Sequence, residues 1–333
     1  MILTFEEMRE MTQGAEEVFG EGTHISFARF HRAERELYEK TELRNKISAC
    51  AAVQLVFRTD ADALALKIKL TCLTSSRSFF MVDVFENNAF LGSVGNIDEN
   101  ERQIYQSFSL GEFEKSFALG KGDKTVRIVL PWTSAIEISE LSLEGATYAE
   151  AVKRSKKMLA YGDSITQGYD AVHPSNAYIV KLADALDAEV IDKAMGGEIF
   201  FPPLSEIRSH MTPDYITVAY GTNDWVACTP DTFRANCRAF YSNLAKLYPH
   251  AKIFAITPIW RKDYGEDRPF GSFFDIERII KEETADLSNV TVIEGFDLVP
   301  HDSAYFADVC LHPNDDGFSH YAENLTKAIR AHL

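Results

Sequence analysis

The stretch MLAYGDSITQGYDA (residues 158–171) decides how this chain is read. Met158 to Tyr161 is an apolar run, and Gly162-Asp163-Ser164 breaks it. Such a run reads as a buried strand, and ligands of open α/β sheets collect outside the carboxyl ends of their strands. Ser164 therefore stands where a nucleophile would stand, beside backbone that glycine lets turn sharply. Working outward, AMGGEIF (194–200), AYGTNDW (219–225) and DVCLHPNDDGF (308–318) each follow a strand-like stretch. Glycine, asparagine and histidine thus follow the serine in order.

Periodicity divides the chain into two parts. Between residues 53 and 145, VQLVF places Val53, Leu55 and Phe57 on one face. ALALKIKL does the same with Leu64, Leu66, Ile68 and Leu70, and FFMVDVF and TVRIVL continue the alternation. Turn clusters such as ENN and GKGD separate these runs, a pattern that predicts an antiparallel sandwich. From Met158 onward, MLAYG, EVIDKA, YITVAY, KIFAITP and VTVIEGF read as buried strands that alternate with helical segments. In residues 229–248, Phe233, Cys237, Phe240, Leu244 and Leu247 recur at helical spacing after Thr229 as N-cap and Pro230 as the first helical residue. Alternating strands and helices predict a parallel sheet covered on both faces. The expected domains are residues 1–150 and 151–333, divided in the lysine-rich segment YAEAVKRSKKM. The first 20 residues carry no decisive pattern.

The four blocks resemble those of the SGNH (GDSL-type) hydrolases. GDSITQG is similar to the serine block, DKAMGGE to the glycine block, GTND to the asparagine block and LHPND to the histidine block. The resemblance spans about residues 156 to 333. It implies a flavodoxin-like parallel sheet, here preceded by a jelly-roll-like antiparallel β-sandwich as in some carbohydrate esterases. It also implies Ser164 as nucleophile and His312 as base, with the Ser164 N–H, Gly197 and Asn223 as oxyanion donors. Gly196 is the rival for the glycine role. Asp192 stands where the family often has asparagine. The family's acid lies three residues before the histidine, where this chain has Val309. Asp308, four before, takes that role only if the loop bulges by one residue; otherwise a backbone carbonyl would orient His312.

Acyl transfer needs an activated nucleophile, a base, and donors aimed at the developing oxyanion. Pro313 restricts His312 to extended backbone. Asp163 and Asp224 read as carboxylates bracing their loops. Phe200, Phe201, Trp225, Trp260 and Tyr264 are expected at the rim, with Trp225, Trp260 and Arg261 as candidate substrate contacts and Trp132 as a candidate wall. The expected activity is hydrolysis of short acyl esters, acetyl foremost, on a carbohydrate. Alternatives are a short-chain lipase or acylhydrolase, a transacylase, or a glycan-binding protein with an inert hydrolase domain.

The formal net charge of −16 disfavours nucleic acid and anionic membranes as partners. It leaves a small-molecule or oligosaccharide ester as the partner, with self-association open. No run approaches the ~18 apolar residues of a transmembrane helix. The N-terminus has no basic segment leading into an apolar stretch, so no secretory signal is read. The five cysteines are scattered, with no CxxC pair and no metal-ligand spacing, which predicts reduced thiols, a cytoplasmic protein and no metal or cofactor.

Overall fold

The computed structural model describes residues 1–97 and 110–333. They form two compact units. The first comprises Met1–His31, Arg44–Arg154 and His173–Ser175; the second comprises Arg32–Leu43, Ser155–Val172 and Asn176–Leu333.

The first unit is built on two antiparallel sheets. One runs in the order β1 (Thr12–Gln13), β4 (Gln54–Thr59), β9 (Lys124–Val129), β6 (Met81–Glu86), β7 (Ala89–Gly95), with β11 (Ala149–Ala151) also on β4. The other runs β2 (Glu17–Glu21), β3 (His24–Ala28), β10 (Ser134–Glu144), β5 (Ala63–Leu73), β8 (Gly111–Ala118). Strand alternation sends Leu55, Phe57, Val82, Val84, Val126 and Ile128 from one sheet into the same core as Leu64, Leu66, Ile68, Ile138 and Leu141 from the other. That shared core makes the pair a sandwich. The opening residues, which the sequence left unplaced, form helix α1 (Phe5–Met11); Thr4 and Glu7 cap it reciprocally.

The second unit is a parallel sheet in the order β13 (Ala188–Asp192), β12 (Lys156–Gly162), β14 (Tyr215–Ala219), β15 (Lys252–Ile256), β16 (Val290–Ile293). Each neighbouring pair is parallel. In chain order within the unit this is 2-1-3-4-5, the flavodoxin-like arrangement, whose switch point lies between β12 and β14. The helices are α2 (Arg32–Tyr38), α3 (Ser164–Gln167), α4 (Tyr178–Ala185), α5 (Asp224–Ala227), α6 (Pro230–Leu247), α7 (Phe274–Thr284) and α8 (Asp315–Arg330). Helix α6 begins as its sequence dictates, with the Thr229 side chain accepting the N–H of Thr232 and Pro230 at its first turn, and it buries Phe233, Cys237, Phe240 and Leu244. No helix among the described residues is long and apolar enough to cross a membrane.

Candidate active site

Ser164 and Asn223 follow β12 and β14, the two strands that flank the switch point, so the fold itself places their loops side by side. Asp163 caps the short helix α3: its carboxylate accepts the N–H of Ile165 at 2.9 Å. This sets Ser164 at the first position of that turn. Its Oγ lies 2.8 Å from His312 Nε2. On the far side of the ring, His312 Nδ1 lies 2.8 Å from Asp308 Oδ2. The other Asp308 oxygen accepts the backbone N–H groups of Cys310, Leu311 and His312 at 3.0, 2.7 and 3.1 Å. Burial works against ionising Asp308, but the imidazole and the backbone donors outweigh it and hold the carboxyl well below the usual carboxylate range. With Asp308 ionised, Nδ1 carries the ring proton and Nε2 accepts from Ser164.

The two glycines of the AMGGEIF loop have separate tasks. Gly196 is buried, and its N–H donates to Gln167 Oε1 at 2.7 Å. A Cβ there would lie 2.8 Å from the ring of Tyr169, which packs 5.6 Å centroid to centroid from His312. Gly197 has φ +85° and is exposed, a backbone that side chains resist. Asn223 donates one amide hydrogen to the Glu198 carbonyl at 2.9 Å, and its second N–H is not spent in that bond. Asp224 accepts the N–H of Phe200 at 3.1 Å, and Asp192 accepts that of Ala194 at 2.8 Å. These carboxylates brace the loops.

Behind the site lies a cluster of buried acids. Burial pushes Asp163 up to about 6, opposed by the Ile165 N–H and by the nearby His312 and Arg261. It pushes Asp224 up to about 7, with Asp163 adding to the rise. Glu198 is pushed up to about 8 by burial, despite hydrogen bonds from Tyr38 and Tyr220.

The candidate substrate contacts need correction. Trp225 is fully buried. Its indole N–H donates to the Gly271 carbonyl at 3.0 Å, and the Arg261 and Arg268 guanidinium groups lie 5.2 and 4.5 Å from its ring centroid. Trp260 is buried and stacked on His301. Arg261 is 6% exposed and spent internally on Asp263 and on the Thr222 carbonyl and hydroxyl. It braces the residue before Asn223 and offers no free guanidinium face to a ligand. Phe200 is buried among Tyr220, Phe233, Phe240 and Tyr241, while Tyr264 is exposed. Trp132 is buried in the first unit against Phe79. Phe200, Trp225, Trp260 and Arg261, expected at the rim from their places past strand ends, are instead the packing that holds the loops.

The sequence reading also passed over several residues. Asp170, buried with φ +72°, brings a second carboxylate 3.6 Å from His312 Nδ1. Asp170, Asp308 and His312 place one ligand-type atom each within 4.8 Å of one another. Gln167, Lys193 and Glu198 lie inside the quoted blocks, yet nothing in their spacing marks them as buried.

A parallel sheet whose carboxyl end carries a hydrogen-bonded serine, histidine and aspartate is an arrangement suited to ester hydrolysis through an activated serine. Residues 160–319 match the GDSL-like lipase/acylhydrolase family, and the chain thus carries an ester-hydrolase domain of that kind. No curated protein matches the chain significantly. Among solved structures, it is similar to the salicylyl-acyltransferase SsfX3 from a tetracycline biosynthetic pathway (TM-score 0.77, 19% identity, 96% of this chain and 94% of that one). It is also similar to a putative GDSL-like lipase from Bacteroides ovatus (0.74, 17%, 99% and 97%). A third is a family two carbohydrate esterase from Cellvibrio japonicus (0.67, 17%, 99% and 97%). At these identities the likeness establishes the shared fold, including both the sandwich and the parallel sheet.

Proposed function

We propose that the protein is a serine esterase that removes short acyl groups, acetyl foremost, from a carbohydrate or similar small molecule. The observation that carries this reading is the unbroken hydrogen-bond chain from Ser164 through His312 to Asp308. Ser164 Oγ attacks the ester carbonyl while His312 Nε2 takes its proton, and Asp308 stabilises the imidazolium. The oxyanion is met by the N–H groups of Ser164 and Gly197 and by the Asn223 amide. The imidazolium then protonates the departing sugar oxygen, and water repeats the sequence on the acyl-enzyme. A carbohydrate substrate is supported by the fold shared with a family two carbohydrate esterase. The short acyl is supported by the asparagine loop Gly221–Asp224, which contains no apolar run.

A serine-directed phosphonate should label one site and Ser164→Ala should abolish labelling. Nitrophenyl acetate should be turned over well and the decanoate hardly at all, and acetate should be released from acetylated oligosaccharides. Labelling that survives in the mutant removes the nucleophile assignment; preference for the decanoate makes the protein a lipase. The acyltransferase of the same fold favours a second reading, in which an alcohol replaces water. Acyl transfer to added sugar alcohols outpacing acetate release would select it.

A further inference from the structure

The Gly196–Gly197 turn is bracketed by Lys193 and Glu198, and both side chains are buried. Their partners come from helix α2, far away in sequence. Glu34 pairs with Lys193 at 2.5 Å, with both side chains fully buried. The Tyr38 hydroxyl donates to Glu198 Oε1. Glu34 and Tyr38 are four residues apart, so a single face of α2 presents both. The Tyr38 ring also packs on Phe201, with centroids 5.3 Å apart. On the other Glu198 oxygen, Tyr220 donates at 3.2 Å. The Glu198 carbonyl meanwhile accepts the Asn223 amide. One buried residue thus touches α2, the glycine turn and the asparagine loop.

We infer that α2 is a positioning clamp for the oxyanion loop: Glu34 holds Lys193, Tyr38 holds Glu198, and the glycine turn and the Asn223 amide are fixed between them. The inference rests on the oxyanion reading of Gly197 and Asn223. Its physical basis is that a Gly-Gly turn loses more conformational freedom on ordering than any other pair. Oxyanion donors help only when they are already aimed at the charge that develops. Two contacts five residues apart, outside the turn, supply that order without placing a side chain beside the substrate. A buried ion pair is a poor source of stability compared with apolar packing, which fits a role in geometry. Residues 32–43, although early in the sequence, are in this view part of the catalytic machinery's support.

The test uses the full chain. Tyr38→Phe keeps the ring and removes only the hydroxyl. On nitrophenyl acetate, kcat should fall about tenfold or more, as displaced donors predict, with KM within about twofold. In an Asn223→Ala background, the same Tyr38→Phe change should cost clearly less than in the wild type, because one of the two donors it positions is gone. Glu34→Leu with Lys193→Met replaces the ion pair by apolar groups, which preserves folding, and should lower kcat in the same manner. Wild-type kcat in Tyr38→Phe or in the folded double replacement, or a full cost of Tyr38→Phe beside Asn223→Ala, overturns the clamp. A harmless Asn223→Ala instead overturns the oxyanion reading itself, and the clamp with it.

Discussion

His312 Nδ1 and Asp308 Oδ2 meet at 2.8 Å across four residues of sequence because Val309, between them, turns with φ +57°. The left-handed residue takes up the extra position, and its N–H donates to the Phe306 carbonyl at 3.0 Å. A β-branched residue in that region costs on the order of 1–3 kcal/mol. Val309 is 57% exposed, so no burial offsets the strain. The surrounding bonds enforce it: three backbone N–H groups converge on Asp308.

Val309 gives the first prediction. Val309→Gly removes the steric strain while keeping the backbone path, so Tm should stay level or rise and kcat should remain within about threefold. Val309→Pro fixes φ near −65° and cannot make the turn, so it should lose activity about as far as an Asp308 mutant does. Steady-state kinetics beside thermal melts would decide; an active Val309→Pro would mean that the turn is dispensable.

Removing the acid gives the second. Asp308→Asn should cut kcat by about 10³–10⁴ with KM nearly unchanged, as loss of a tautomer-fixing carboxylate does. His312→Ala should be at least as severe. Asp170, at 3.6 Å and beyond hydrogen-bond reach, should cost less than about tenfold as Asp170→Asn. A mild Asp308→Asn beside a dead His312→Ala would make the site a Ser–His dyad.

The sequence showed its fold where burial follows period. Alternation marked the sandwich strands β4, β5, β6 and β9, and short apolar runs between helices marked all five parallel strands. Four separated blocks also located Ser164, Gly197, Asn223 and His312, because turn chemistry after a strand leaves a trace in residue type. What could not be read was which side chains the loops bury. Trp225 and Arg261 resemble rim residues in composition, yet only packing reveals that the guanidinium is committed to Asp263 and Thr222. Helix α2 hides in the charged run HRAERELYEK, where Glu34 and Tyr38 look like solvated surface. Their partners lie 159 and 160 residues away, a pairing that no local pattern encodes. The Val309 bulge, by contrast, was legible as a spacing one residue longer than the family's.

A third prediction concerns metal. Nδ1 of His312 is held by Asp308, and the oxyanion donors are neutral, so the reaction as proposed needs no ion. Dialysis against a chelator should leave kcat unchanged. Added zinc should inhibit by competing for the Asp170, Asp308 and His312 atoms that lie within 4.8 Å, and Asp170→Asn should weaken that inhibition. Activity lost to chelator and restored by zinc would overturn the metal-free mechanism.

The last prediction follows from Glu198, pushed up to about 8 by burial. Unfolded glutamate titrates near ~4.3. Between those values the folded state binds more protons than the unfolded one, so stability is fully present below ~4.3 and is lost as pH rises through about 8. Asp163, up at about 6, and Asp224, up at about 7, act with the same sign. Asp308 acts oppositely: its lowered value gives stability above ~3.9 that disappears only as pH falls further. From pH 5 to 9 the buried acids therefore set the slope, and wild-type Tm should decline by several degrees. Glu198→Gln keeps the shape and the tyrosine contacts but cannot ionise, so its decline should be visibly shallower. Parallel Tm–pH curves for the two proteins would show that Glu198 does not titrate in this range.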